Sequence, residues 1–216
     1  MNIMIIGATG MAGSAITKEA LQRGHRVLAI GRSEEKLATL PTNPNLTTKA
    51  TDAFALTTKD LQAVDVVVDA MACPPDQAYL HVDLATQLVA RLRGTTSPRL
   101  VFILGAGSLR TGADQHLFVR DLEKDPAAAS FIAVPQNQLA ELTFLQTVKN
   151  VNWVGISPAA DFHAGPASRL LLGDDQLLVN AAGDSVTTSG TMAVAVLDEI
   201  EQPNHQQTRF TVANQA

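Results

Sequence analysis

Residues 1–13 read Met1-Asn2-Ile3-Met4-Ile5-Ile6-Gly7-Ala8-Thr9-Gly10-Met11-Ala12-Gly13, an apolar run that ends in a G-x-x-G-x-x-G loop. An apolar run of this length, broken only by Asn2, predicts a buried strand, and the loop predicts a tight turn that opens a helix. The three glycines have separate tasks. Gly7 permits the turn, Gly10 lets backbone come close to a pyrophosphate, and Gly13 lets helix and strand pack together. The first turn of a helix carries free N–H groups and the positive end of the helix dipole, so residues Gly7, Ala8, Thr9, Gly10, Met11, Ala12 and Gly13 form a candidate anion site that uses no basic side chain.

The composition of the 216 residues is that of a folded globule, with 46% hydrophobic and 17% charged residues. A net charge of −5 gives nucleic acid no general attraction. One cysteine excludes an internal disulfide framework and a thiolate zinc cluster. His25, His81, His116, His163 and His205 lack metal-ligand spacing, so no metal site is expected. No apolar run reaches membrane-spanning length and no basic flank of a signal peptide precedes the first strand, which points to a cytoplasmic protein with no membrane role.

Outward from the loop, strand-like and helix-like segments alternate. Ser14 to Arg23 has helical apolar spacing, and Val27 to Ile30 is a second strand. At the end of that strand an acidic residue would receive the ribose hydroxyls of NAD, but the chain offers Gly31-Arg32-Ser33. A guanidinium and a hydroxyl suit a 2′-phosphate, so NADP (as NADPH) is favoured over NAD. The competing reading makes Arg32 a solvated charge and Ser33 the cap of a helix beginning at Glu34. Leu46 to Ala50 is a third strand, ending near Asp52 and Ala53. Asp52 could receive an adenine amino group or simply cap a helix.

Val64 to Ala70 is a β-branched run suited to the interior of a parallel sheet, and Ala70, Met71 and Ala72 at its end leave room for a nicotinamide ribose. Cys73 reads as a small lining residue, since no neighbour in sequence would lower its pKa. A helix from Gln77 to Arg91 precedes a fifth strand, Arg99 to Leu104, which delivers Gly105-Ala106-Gly107-Ser108 to the same edge. Ser108 is the one hydroxyl placed to assist chemistry, with a turn-stabilising role as its alternative. Leu109 to Pro135, including His116 and Phe118, carries no periodic signal and is expected to cover the site. A helix over Gln136 to Lys149 and a strand over Asn150 to Ile156 follow. The tail holds a short strand at Leu177 to Val179, a helix from Gly190 to Glu201 and a last strand from Arg209 to Val212.

No repeat or linker divides the chain, so residues 1–216 are expected to form one NAD(P)-binding domain with a short C-terminal substrate-side region. The fold class is α/β, a doubly wound parallel sheet of Rossmann type with helices on both faces.

The loop, the Ile30-Gly31-Arg32-Ser33 turn, the Thr51-Asp52 pair, the Ser157-Pro158-Ala159-Ala160-Asp161-Phe162 stretch and the tail from LLVNAAGDSVTTSG onward resemble the atypical short-chain dehydrogenases. Within them the chain is most similar to the NADH-flavin reductase group, which is related to flavin reductase/biliverdin reductase B. The likeness covers essentially the whole chain and implies six or seven parallel strands, NAD(P) at the loop and a flavin- or quinone-like acceptor over the nicotinamide. Two departures stand out. The group often has an acidic and an aromatic residue where this chain reads Thr188-Ser189-Gly190-Thr191-Met192. The Tyr-x-x-x-Lys pair of alcohol- and ketone-reducing members is also missing: the only tyrosine, Tyr79, is followed four residues later by Asp83, and the expected helix offers Gln136, Asn137, Gln138 and Glu141.

Reduction of a ketone concentrates charge on one oxygen, whereas a flavin or quinone spreads it over a conjugated system. The missing pair therefore favours an NAD(P)H-dependent flavin or quinone reductase, a monomer or homodimer acting on a small molecule. The same residues also fit a non-catalytic NADP-binding redox sensor that acts through a protein partner.

Overall fold

The computed structural model describes residues 1–215; residue 216, which the sequence reading includes in its domain, lies outside the described residues. In chain order the elements are β1 (Asn2–Ile6), α1 (Met11–Gln22), β2 (Arg26–Gly31), α2 (Glu34–Leu37), β3 (Leu46–Ala50), α3 (Thr58–Gln62), β4 (Val66–Asp69), α4 (Leu80–Leu92) and β5 (Arg99–Ile103). There follow β6 (Arg110–Thr111), β7 (His116–Leu117), α5 (Val119–Leu122), α6 (Ala133–Gln146), β8 (Trp153–Pro158), β9 (Asp161–His163), β10 (Leu170–Gly173), β11 (Val186–Thr188), α7 (Ser189–Glu201) and β12 (Thr208–Asn214).

The central sheet runs β10-β12-β8-β5-β4-β1-β2-β3. All its neighbours are parallel except the β10 edge, which is antiparallel to β12. The order reverses at β1, which pairs with both β2 and β4, and this opens a crevice beyond the strand ends.

Alternation along the strands divides the core in two. Ile3 and Ile5 of β1, Val66 and Val68 of β4, and Val101 and Ile103 of β5 pack with α1 and α7 through Ile16, Ala20, Met192 and Val196. The intervening Met4, Ile6, Val67, Leu100 and Phe102 pack with α4 and α6 through Leu84, Leu88, Leu142 and Leu145. Both faces are covered, which is why these strands read as unbroken apolar runs.

Gly7 takes φ +73°, and a Cβ there would sit 2.5 Å from Ala70 O. A Cβ on Gly13 would overlap the Gly7 carbonyl. The loop therefore requires glycine twice, once for conformation and once for helix-to-strand contact.

The tail differs from expectation at one point. Leu177 to Val179 is not a strand; the antiparallel edge is β10, in which Leu170 pairs with Asn214 and Gly173 with Thr211. Both stretches are short and leucine-rich, and the choice between them rests on which one can reach the open edge of β12 in register.

Candidate active site

The carboxyl ends of β1, β4, β5 and β8 surround a cleft of about 390 Å3. Gly10, just before α1, and Met11 and Ala12 of its first turn line it, with Ala70, Met71, Ala72 and Cys73 from the end of β4 and Leu104, Gly105 and Ala106 from the end of β5. Phe131, Val134, Gln138, Pro158, Ala159 and Phe162 complete a largely apolar wall. A hollow of about 370 Å3 at the far end of α7 is of similar size. Its lining includes Asp198, Glu199 and Glu201, the wrong sign for a pyrophosphate.

The loop amides divide into used and free. Ala8 N–H donates to Ile30 O at 3.1 Å and Gly10 N–H to Gly7 O at 2.9 Å. The N–H groups of Met11, Ala12 and Gly13 open α1, no side chain caps them, and they have no acceptor among the described residues. This donor set fits an anionic phosphate group, with Ala8 contributing packing and not its amide.

The structure brings Gly10, Met11, Ala12, Ala70, Met71 and Ala72 together in one cleft. Arg32, Ser33, Asp52 and Ala53 are outside its lining, at the ends of β2 and β3 on the same carboxyl edge of the sheet. Arg32 is exposed and makes no ion pair or hydrogen bond among the described residues. Ser33 Oγ accepts from Lys36 N at 3.2 Å and caps α2. Asp52 Oδ1 accepts from Phe54 N at 2.9 Å and caps the 3₁₀ turn Ala53–Ala55, and no donor among the described residues reaches its second oxygen.

Ser108 is also outside the lining. Its hydroxyl donates to Gly105 O at 3.3 Å and accepts from Arg209 Nη1 at 3.1 Å. The same guanidinium donates to Ser157 Oγ at 3.1 Å, and Ser157 Oγ donates to Gly105 O at 3.1 Å. The hydroxyl is thus part of a brace that joins β12, β8 and the end of β5.

Cys73 lines the cleft, and burial, with the Asp69 carboxylate adding to it, pushes its thiol up. Tyr79 is 54% exposed and lies outside the lining.

The residues that sequence reasoning missed are Asp69, His81 and Glu141. Asp69 ends β4 on the face of Val67, turned by strand alternation toward α4 and α6, and burial pushes its carboxyl up to about 7 although Met71 N–H donates to Oδ1 at 3.0 Å. His81 on α4 is 5% exposed and Glu141 on α6 is 2% exposed. Burial pushes the imidazole down; burial and the nearby Asp69 push the Glu141 carboxyl well above the usual range. A sequence signal for them exists: His81 lies three residues before Leu84 and four before Ala85, and Glu141 four before Leu145, so each puts a titratable group on an apolar helix stripe.

Together the fold and the cleft define a Rossmann-type nucleotide-binding protein. The chain belongs to the NAD(P)H-binding family, which matches residues 7–203. It is similar over its full length to a protein of Lactobacillus casei, at 41% identity, TM-score 0.92 and 100% coverage of that chain. It is similar to the "putative NADH-flavin reductase" of Streptococcus pneumoniae at 30% identity and TM-score 0.88, with 100% of both chains covered. It also matches the "putative epimerase" of Bacteroides thetaiotaomicron at 31% identity and TM-score 0.85, covering 100% of this chain and 97% of the other.

Proposed function

We propose that the protein is an oxidoreductase that uses NADPH in preference to NADH and passes hydride to a flavin- or quinone-like acceptor. One observation carries the reading: a cleft at the strand ends that combines the unpartnered main-chain amides of Met11 and Ala12, with that of Gly13 next in the same turn, with an apolar wall and no tyrosine-lysine pair.

In this reading those amides, with Gly7, Thr9 and Gly10 shaping the loop, hold the pyrophosphate. Arg32 and Ser33 hold the 2′-phosphate, Asp52 and Ala53 the adenine, and Ala70, Met71 and Ala72 the nicotinamide ribose. A reduced nicotinamide bound there supplies a hydride. The chain's own contribution is orientation: small residues after β4 set the depth of the ring, and the wall excludes water. Met11 and Phe131 are large apolar side chains exposed by 38% and 45%, and with Phe162 they frame a mouth suited to a flat conjugated ring.

The relatives' names point to two chemistries, reduction and epimerisation. The helix that would carry a phenol and lysine carries Gln138 and Glu141 instead, and this favours reduction of an acceptor that delocalises charge. The test is loss of reduced-nicotinamide absorbance when the protein is mixed with NADPH and FMN, riboflavin or a simple quinone. Turnover with at least one acceptor is expected; no turnover with any of them overturns the reading.

A further inference from the structure

Three successive residues of α6, Gln136, Asn137 and Gln138, carry side-chain amides, and the third is placed unlike the other two. Gln136 Nε2 donates to Glu123 Oε1 at 2.9 Å, and Asn137 Nδ2 donates to Ala133 O at 2.8 Å. Gln138 makes no side-chain hydrogen bond to any described residue. Neither of its polar atoms is among the buried unpartnered ones, so both stay accessible. The space they open on is the cleft, which Gln138 lines together with Val134, one turn earlier. One turn later Glu141 and Leu142 are buried, so the carboxamide stands where the cleft wall passes into the core.

This carboxamide is the open polar group of a wall that is otherwise apolar. Of the other polar side chains in the lining, His81 has its Nε2 fully enclosed, and Cys73 offers a thiol, a weak donor and acceptor. Gly105 at the end of β5 makes room for the amide: a Cβ there would overlap Gln138 Oε1 and come within 2.9 Å of its Cδ, so a larger residue would push it aside. α6 packs on the face of the sheet opposite α1. The carboxamide therefore enters the cleft from the layer away from the free amides of the glycine loop, the side left to a second substrate when a nucleotide is anchored on α1.

We propose that Gln138 selects the acceptor, pairing its carboxamide with the imide edge of a flavin, where a ring N–H lies beside a ring carbonyl. This rests on the cleft being the hydride-acceptor site proposed above. A primary carboxamide presents an acceptor and donors side by side, and the imide edge is its complement: the ring N–H donates to Oε1 and the neighbouring carbonyl accepts from Nε2. A quinone has carbonyls alone and leaves Oε1 unpaired against an apolar wall, which a flavin does not. Of the two acceptor classes that the apolar wall admits, the carboxamide favours the flavin.

The experiment compares wild type with Gln138→Leu, which keeps the bulk of the side chain and removes both polar atoms. The probes are riboflavin, N3-methylriboflavin and menadione. The readouts are kcat/KM for each, NADPH affinity by calorimetry, and quenching of flavin fluorescence in the presence of NADP+, where no hydride can move. Gln138→Leu should lower both kcat/KM and affinity for riboflavin about tenfold or more, and change those for menadione and NADPH by no more than about twofold. The methylated flavin, which has lost the ring N–H, should be a poor substrate for wild type and fall no further in Gln138→Leu. The inference is overturned, with the reductase reading left standing, if riboflavin turnover is unchanged in Gln138→Leu or if menadione or NADPH suffers the same loss. Wild type that reduces menadione but not riboflavin, or N3-methylriboflavin as well as riboflavin, overturns it with no variant needed. No wild-type turnover with any acceptor overturns both.

Discussion

The Arg209 guanidinium donates to Ser108 Oγ at 3.1 Å, and this contact decides what Ser108 does. Arg209 is buried, and its other partners are Ser157 and the half-exposed Asp175. Arg209→Met is expected to lower unfolding free energy by about 2–3 kcal/mol, because hydrogen bonds to a charged donor are lost at two serines. Ser108→Ala should cost about 1 kcal/mol and leave kcat nearly unchanged. Denaturant melts and steady-state rates check both; a hundredfold loss of kcat in Ser108→Ala with stability intact would return that hydroxyl to the chemistry.

Asp69 makes stability depend on pH. Its carboxyl titrates near 3.8 in an ordinary setting and about 7 in the folded protein, where burial disfavours the anion. Between those values the folded state binds more protons than the unfolded one, so stability is greatest below the lower value and falls as pH rises toward the upper. Asp69→Asn keeps an acceptor for Met71 N–H and has no proton to lose. It should be more stable than wild type at pH 8, by on the order of 4 kcal/mol, with little difference near pH 4. Urea melts at the two pH values measure it, and equal slopes for both proteins refute it.

Gly13→Ala is expected to damage fold and site together. The added Cβ meets backbone, the Gly7 carbonyl, which cannot step aside like a flexible side chain. A loss of about 2 kcal/mol or more in stability and at least a tenfold weaker affinity for NADPH are expected, read by thermal melts and calorimetry. Gly24→Ala is the control for left-handed backbone, since Gly24 has φ +81° with open space around its Cα. It should lose stability without losing affinity.

Arg32→Ala tests cofactor choice. Arg32 is exposed and free of ion pairs among the described residues, so its removal disturbs nothing in the fold. Affinity for NADPH should fall at least about tenfold while that for NADH changes little, as expected for loss of a charge-assisted contact to a phosphate. Equal effects on the two nucleotides would show that the guanidinium does not meet the 2′-phosphate.

Much of the fold was legible because local pattern and global packing agree. The glycine loop, the β-branched run around Val66 to Val68 and the strand from Arg99 follow from period, turn chemistry and burial on both faces. β10 was not legible, because two leucine-rich stretches compete and only register against β12 separates them. The pairing of β9 with β11 joins residues more than twenty positions apart and has no local signal. At the site, small residues at the strand ends marked the cleft. His81 and Glu141 are sixty positions apart, and packing of α4 on α6 brings them together. Read singly they are one histidine and one glutamate; read as interruptions of two apolar stripes, they would have been a pair.

The rims of the sheet are guarded unequally. β3 shows solvent Thr47, Thr48 and Lys49, and the lysine is tied to Asp60 at 2.8 Å, so a second molecule adding a strand there would have to strip an ammonium of its water and its partner. β10 runs against the grain of its neighbours, carries no charge of its own and leaves Leu172 more than half in solvent. When the protein is concentrated or partly melted, strand-by-strand accretion into polymer is expected to begin at the reversed rim, and Leu172→Lys is expected to blunt it.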